Sequence, residues 1–160
     1  MKSGSDPNYE ATYELIELAN QVRRRGRLAG PDSIRAIDAE QQLERTYRHS
    51  HRLAVYGTLA PGRSNHHIVA PYGGTWTHGR VRGDLVEAGW GAVVGYPALR
   101  MRAGGPWVNV HVLESDRLPG AWPAIDAFEG EEYQRILAPV FADGDDATEV
   151  IAVANLYEIV

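Results

Sequence analysis

At residue 52 the hydrophobic pattern of this 160-residue chain changes its period. Up to that point apolar residues recur every three or four positions, and beyond it they fall into short runs with glycine and proline between them. A helix turns every 3.6 residues and a strand alternates every two, so the two halves call for different backbones. Helices followed by a sheet, an α+β arrangement, is what such a chain can build.

In the first half, Tyr13, Ile16, Leu18, Ala19 and Val22 predict a helix from about residue 8 to 28, with Gly26 and Gly30 punctuating its end. Pro31-Asp32-Ser33 opens a second helical pattern through Ile34, Ile37, Leu43 and Tyr47. Residues 1–50 therefore read as a helical hairpin. No glycine-rich linker precedes Leu53, so the hairpin is expected to pack as an N-terminal extension on a core of residues 51–160. A hairpin has little core of its own and must lay its apolar stripe on something, which leaves a homodimer through these helices open as its other use.

The second half holds six β-like runs: Arg52 to Tyr56, Gly74 to Glu87, Pro97 to Met101, Trp107 to Leu113, Tyr133 to Phe141 and Val150 to Ile159. Two short helices interrupt them. One starts near Ser64, a cap for "NHHIVA", and the other runs from about Gly120 to Phe128 with Gly130 as a left-handed C-cap. "DGDD" at 143–146 turns the last two strands into a hairpin. A mixed sheet closed into a small β-barrel, with short helices flanking it, fits this order.

Composition narrows the chemistry. Apolar residues at 44% and charged residues at 23% suit a globular core. Cysteine is absent, which excludes disulfides, thiolate metal sites and a cysteine nucleophile. The first fifty residues are charge-balanced, so the remainder carries the whole net charge of −5, an argument against a nucleic-acid partner. Against that trend stands Arg23-Arg24-Arg25-Gly26-Arg27, read as solvated cations offsetting a helix C-terminus. No secretory leader and no apolar run near the roughly 18 residues of a membrane span is found, so a cytoplasmic protein without membrane contact is expected. Neighbouring His66 and His67 diverge too far to chelate one metal, "DGDD" lacks calcium-loop spacing, and no phosphate-loop or dinucleotide fingerprint occurs. No metal or cofactor is expected.

Two stretches carry chemistry. In "LAVYGTL", Gly57 lets the backbone turn after an apolar strand and lets another molecule approach, leaving the amides of Thr58 and Leu59 free for a carboxylate or phosphate. The same letters also describe a plain strand and turn without a ligand. In "IDAFEGEEYQR", Glu129 ends a helix whose Ile125 and Phe128 face inward. The helix dipole and partial burial both oppose its ionisation, which raises its pKa and suits a general acid or base. Exposure to solvent, or a pair with Arg135, is the alternative.

Taken together, Tyr56-Gly57-Thr58-Leu59, Asn65-His66, Gly95-Tyr96-Pro97-Ala98-Leu99, Asp126-x-Phe128-Glu129-Gly130 and Tyr133-x-Arg135 resemble the gamma-glutamylcyclotransferase-like family, with its gamma-glutamylamine cyclotransferase and AIG2-like branches. The resemblance covers roughly residues 52–159. It implies a small mixed β-barrel in which the Tyr-Gly-Thr-Leu turn and the helix-end glutamate face each other across a pocket. It further implies that Tyr56, Gly57, Thr58 and Leu59 cradle a small gamma-glutamyl substrate, that Tyr133 lines the pocket, and that Glu129 is the catalytic acid/base of an acyl transfer forming 5-oxoproline. Arg135 is expected to support the sheet. A cyclotransferase-like module that binds without catalysis is the competing implication. Three features depart from the family pattern: Val108-Asn109-Val110-His111 stands where a Gly-Glu pair commonly enters a strand, Ile125 replaces a leucine, and the helical extension has no counterpart in small members. The leaving amine is not encoded in any of these motifs.

Overall fold

The computed structural model describes residues 7–25, 31–87, 97–144 and 149–160. Helices α1 (Pro7–Arg25) and α2 (Pro31–Tyr47) form the first half. Gly26, Arg27 and Gly30 lie outside the described residues. Strands β1 (Arg52–Val55), β2 (Thr75–Val86), β3 (Ala98–Met101), β4 (Trp107–Glu114), β5 (Tyr133–Phe141) and β6 (Val150–Ile159) follow, each within one residue of its predicted run at either end. Among the described helices, none is long and apolar enough to cross a membrane.

The strands run β2-β4-β1-β6-β5, and β5 returns to β2 at Arg80 and Phe141, closing a five-stranded barrel. Strand β3 sits outside it, on β2. Pairing of β1 with β6 is parallel, through Leu53 and Asn155, while the other ladders are antiparallel. The sheet is therefore mixed. Alternation along the strands divides the core into an inside and an outside. Ala54, Val81, Val110, Val112, Ile136, Ala138, Val140, Ala154 and Leu156 fill the barrel. Outside it, Leu137 of β5 and Val153 of β6 pack under the hairpin with Ile16, Ala19 and Leu43. Strands β5 and β6 are thus buried on both faces, which is why they read as nearly continuous apolar runs rather than alternating ones.

The seam between β2 and β5 is short, and α1 completes it. Asn20, fully buried, donates from Nδ2 to the Leu137 carbonyl and accepts from the Leu137 amide at Oδ1, both at 2.8 Å. One side chain thereby stands in for a neighbouring strand on the edge of β5.

The arginine tract departs from expectation. Arg23 is mostly buried and reaches Glu40 at 2.5 Å and the Asn155 side-chain oxygen at 2.9 Å. Arg24 forms a two-point pair with Glu158, which is 2% exposed and also accepts from the Met101 amide and from Gln134. These cations turn toward the barrel because two polar side chains on β6, Asn155 and Glu158, are buried there and need donors.

Ser64 does not cap a helix either. "NHHIVA" forms two short 3₁₀ turns, His66–Ile68 and Ala70–Tyr72, with Asn65 preceding the first. Asn65 is drawn instead to Thr58, as described below. Residues 145–146 of the "DGDD" turn lie outside the described residues.

Candidate active site

Helix α3 (Trp122–Glu129) follows a 3₁₀ turn at Leu118–Gly120. Trp122, Ile125 and Glu129 are three and four residues apart, so they share one helix face, and all three are buried. Ile125 and Trp122 pack with Leu53, Val55, Leu118 and Tyr157 outside the barrel. The same face carries the Glu129 carboxyl inward, leaving it 9% exposed. Burial pushes its pKa up to about 7, and the helix dipole need not be invoked. Gly130 ends the helix with φ +81°, as a C-cap glycine should, but its ψ of −178° is extended rather than left-handed helical. That extended exit leads directly into β5.

Opposite Glu129, β1 ends in a turn in which the Ala60 amide donates to the Gly57 carbonyl at 3.2 Å. A turn closed by its outer residues leaves the amides of its two central residues, Thr58 and Leu59, outside its own hydrogen bond. Gly57 does not adopt the positive φ that requires glycine. A Cβ there would meet nothing within 4 Å, so the residue keeps open space rather than enabling the bend. Asn65 braces the turn by donating to the Thr58 carbonyl (2.9 Å) and hydroxyl (3.0 Å), while the His66 ring donates from Nδ1 to the Leu59 carbonyl at 2.9 Å. His66 is thereby a turn brace.

Tyr56 is locked at both ends of its hydroxyl. It donates to the Tyr157 carbonyl at 2.8 Å and accepts from the Leu99 amide at 3.0 Å, and burial raises its pKa. Tyr157 in turn donates to Asp126 at 2.5 Å, with burial again raising its pKa. Arg135 pairs with Asp126 at 2.8 Å, donates to Asn155, and stacks on Trp122. It braces α3 against β5 and β6.

All six predicted site residues line one cavity: Tyr56, Gly57, Thr58, Leu59, Glu129 and Tyr133. Inside it the centre of a water-sized sphere has about 50 Å³ to occupy. Ala54, Val55, Pro97 and Tyr157 complete the described lining. Tyr157 escapes detection in the sequence, although a signal is present: Asn155 and Tyr157 share the outward period of a mostly apolar strand. Gly95 and Tyr96 lie outside the described residues. The altered segment at 108–111 contributes nothing to the described lining; Val108 and Val110 point into the barrel core, and His111 meets His78 edge to face. Chemically, the cavity brings a turn whose two central amides stand outside its own hydrogen bond together with a carboxyl that can take and return a proton near neutral pH. Among the described residues no cluster of three or more histidine or acidic side chains could hold a metal ion.

A family model described as gamma-glutamyl cyclotransferase, AIG2-like, matches residues 53–159. The crystal structure of an AIG2-like protein from Mus musculus superimposes with a TM-score of 0.52 at 24% identity, over 68% of this chain and 76% of that one. YkqA from Bacillus subtilis gives a TM-score of 0.48 at 24% identity over 68% of this chain, but the matched part is only 35% of YkqA. No curated protein matches the sequence.

Proposed function

The chain belongs to the AIG2-like gamma-glutamyl cyclotransferase family, and from that premise we propose that it closes the gamma-glutamyl group of a small substrate to 5-oxoproline and releases an amine. In such a substrate the free α-amine attacks the side-chain carbonyl of the same residue. A new N–C bond closes the five-membered lactam, and the C–N bond to the leaving amine breaks. The ring-closing nitrogen sheds two protons in going from ammonium to lactam N–H, and the leaving nitrogen takes up two in going from amide N–H to ammonium, so one group can serve the transfers in turn.

The amides of Thr58 and Leu59 hold the substrate's α-carboxylate, which orients amine and carbonyl at near-attack distance. Gly57 leaves room for that approach. Glu129 takes the protons of the ring-closing nitrogen one at a time and delivers each to the leaving nitrogen. Tyr56 fixes the wall between β1, β3 and β6 through its two hydrogen bonds, and Tyr133 lines the same cavity. No external nucleophile is required, which accords with the absence of cysteine.

The observation that carries this reading is the buried carboxyl of Glu129, with its pKa near 7, in the same cavity as the turn at 57–59. The decisive test is a panel of gamma-glutamyl amino acids, gamma-glutamylamines and a glutathione-like peptide assayed for 5-oxoproline. At least one should be turned over, and Glu129→Gln should lower that rate by a hundredfold or more while the variant still folds and binds. Full activity in Glu129→Gln removes the residue from the mechanism. Binding of panel compounds without any 5-oxoproline favours the non-catalytic module.

A further inference from the structure

Tyr133 and Tyr157 do not line the catalytic cavity alone; each also borders a second one, completed by Arg23, Asp126 and Arg135. The two cavities thus share a wall. Arg23 comes from α1, which precedes the segment matched by the family model.

The guanidinium groups are held rather than loose. Arg23 spends Nε on Glu40 and Nη1 on the Asn155 side chain and the Arg135 carbonyl. Arg135 spends Nε on Asp126 and Nη1 on the same Asn155 oxygen. One buried acceptor, Asn155 at 0% exposure, therefore pins both arginines side by side. Each guanidinium carries five N–H donors, and these contacts leave the outer Nη2 edges underused: that of Arg135 meets Asp126 only at 3.4 Å, and that of Arg23 takes no part in the bonds above. Glu40 and Asp126 offset the two positive charges, so the cavity is bordered by two held guanidinium groups rather than by a strong field. Such a fork suits a planar carboxylate.

We propose that the cavity between Arg23 and Arg135 is the subsite for the leaving side of the substrate, and that it selects leaving amines bearing a carboxylate. This rests on the cyclotransferase reading above. A gamma-glutamyl group seated against Glu129 and the turn at 57–59 directs its amide-linked portion past Tyr133 and Tyr157, and the fork receives the carboxylate carried there. The N-terminal helix thereby becomes part of substrate recognition, and the arginines drawn in by Asn155 acquire a use besides packing.

The test compares gamma-glutamyl-alanine with gamma-glutamyl-alaninamide, which differ in that carboxylate and little else. Wild-type protein should favour the carboxylate in kcat/KM by about tenfold or more, the worth of a charge-assisted contact. Arg23→Gln should bring the ratio to within about twofold of unity. Equal turnover of both substrates by wild type, or an unchanged ratio in Arg23→Gln, overturns the proposal. Should Arg23→Gln fold poorly, the wild-type ratio still decides. If wild type forms no 5-oxoproline from either compound, the cyclotransferase reading fails by itself, and calorimetric binding of the same two compounds then judges the subsite: preference for the carboxylate upholds the fork, and equal or no binding removes it.

Discussion

Glu129 is costly where it sits, and the cost has a pH signature. A carboxyl whose folded pKa is near 7, against an unperturbed value of 4.5, binds its proton more tightly folded than unfolded. Below pH 4.5 both states are protonated and nothing is lost; as pH rises from 4.5 through 7 the folded state is progressively penalised. At pH 8 the penalty approaches roughly 3 kcal/mol, from about 1.4 kcal/mol per pKa unit. Glu129→Gln, which cannot ionise, should therefore be more stable than wild type at pH 8 by up to that amount, the gap closing by pH 4. Denaturant midpoints of the two proteins across this range check it, and a gap that does not vary with pH refutes the burial assigned to this carboxyl.

Among the elements, α1 has the most consequential contact that local pattern could not reveal. Periodicity marks it as a helix and Ile16 and Ala19 as its buried stripe, but nothing in the sequence says that Asn20 meets the main chain of residue 137. That contact exists because the β2–β5 seam is short, a fact of barrel closure rather than of any nearby residue. Asn20→Leu keeps the volume and leaves the Leu137 amide and carbonyl buried without partners, which should cost roughly 2–4 kcal/mol in a denaturant titration. A loss under about 0.5 kcal/mol would mean that the edge finds other partners. The same contrast runs through the site. The six strands and the face of α3 were legible because period and burial coincide in them. Ile125 and Glu129 four residues apart suffice to bring the carboxylate inward. The partners of Arg23 and Arg24 were not legible, since Asn155 and Glu158 lie more than a hundred residues away and look like surface positions until the strand carrying them proves buried on both faces. Of the two uses read for Gly57, the bend does not require glycine, whereas the open space beside it is there.

At the scale of the whole molecule, the barrel leaves little slack where it closes. Gly79 on β2 lies so near β5 that a Cβ would come within 2.4 Å of a Val140 methyl and 3.1 Å of the Phe141 carbonyl. Gly79→Val should force the seam apart and cost about 1–3 kcal/mol, seen as a lowered Tm with unfolding still cooperative. An unchanged Tm would mean that β2 can retreat from β5 without penalty. The acidic balance of residues 51–160 carries the whole net charge of −5, and the two arginines of the fork are each neutralised by a carboxylate, Glu40 and Asp126.

The parallel pairing of Leu53 with Asn155 has a consequence for how the chain reaches this state. Strand β1 must hold its place beside β4 until β6, last in chain order, arrives to occupy its other flank. Closing a loop of roughly a hundred residues is entropically expensive and slow. During synthesis, a ribosome that has released everything as far as β5 exposes an incomplete sheet with two sticky borders, so the hazard of misassembly lasts until ten-residue β6 emerges.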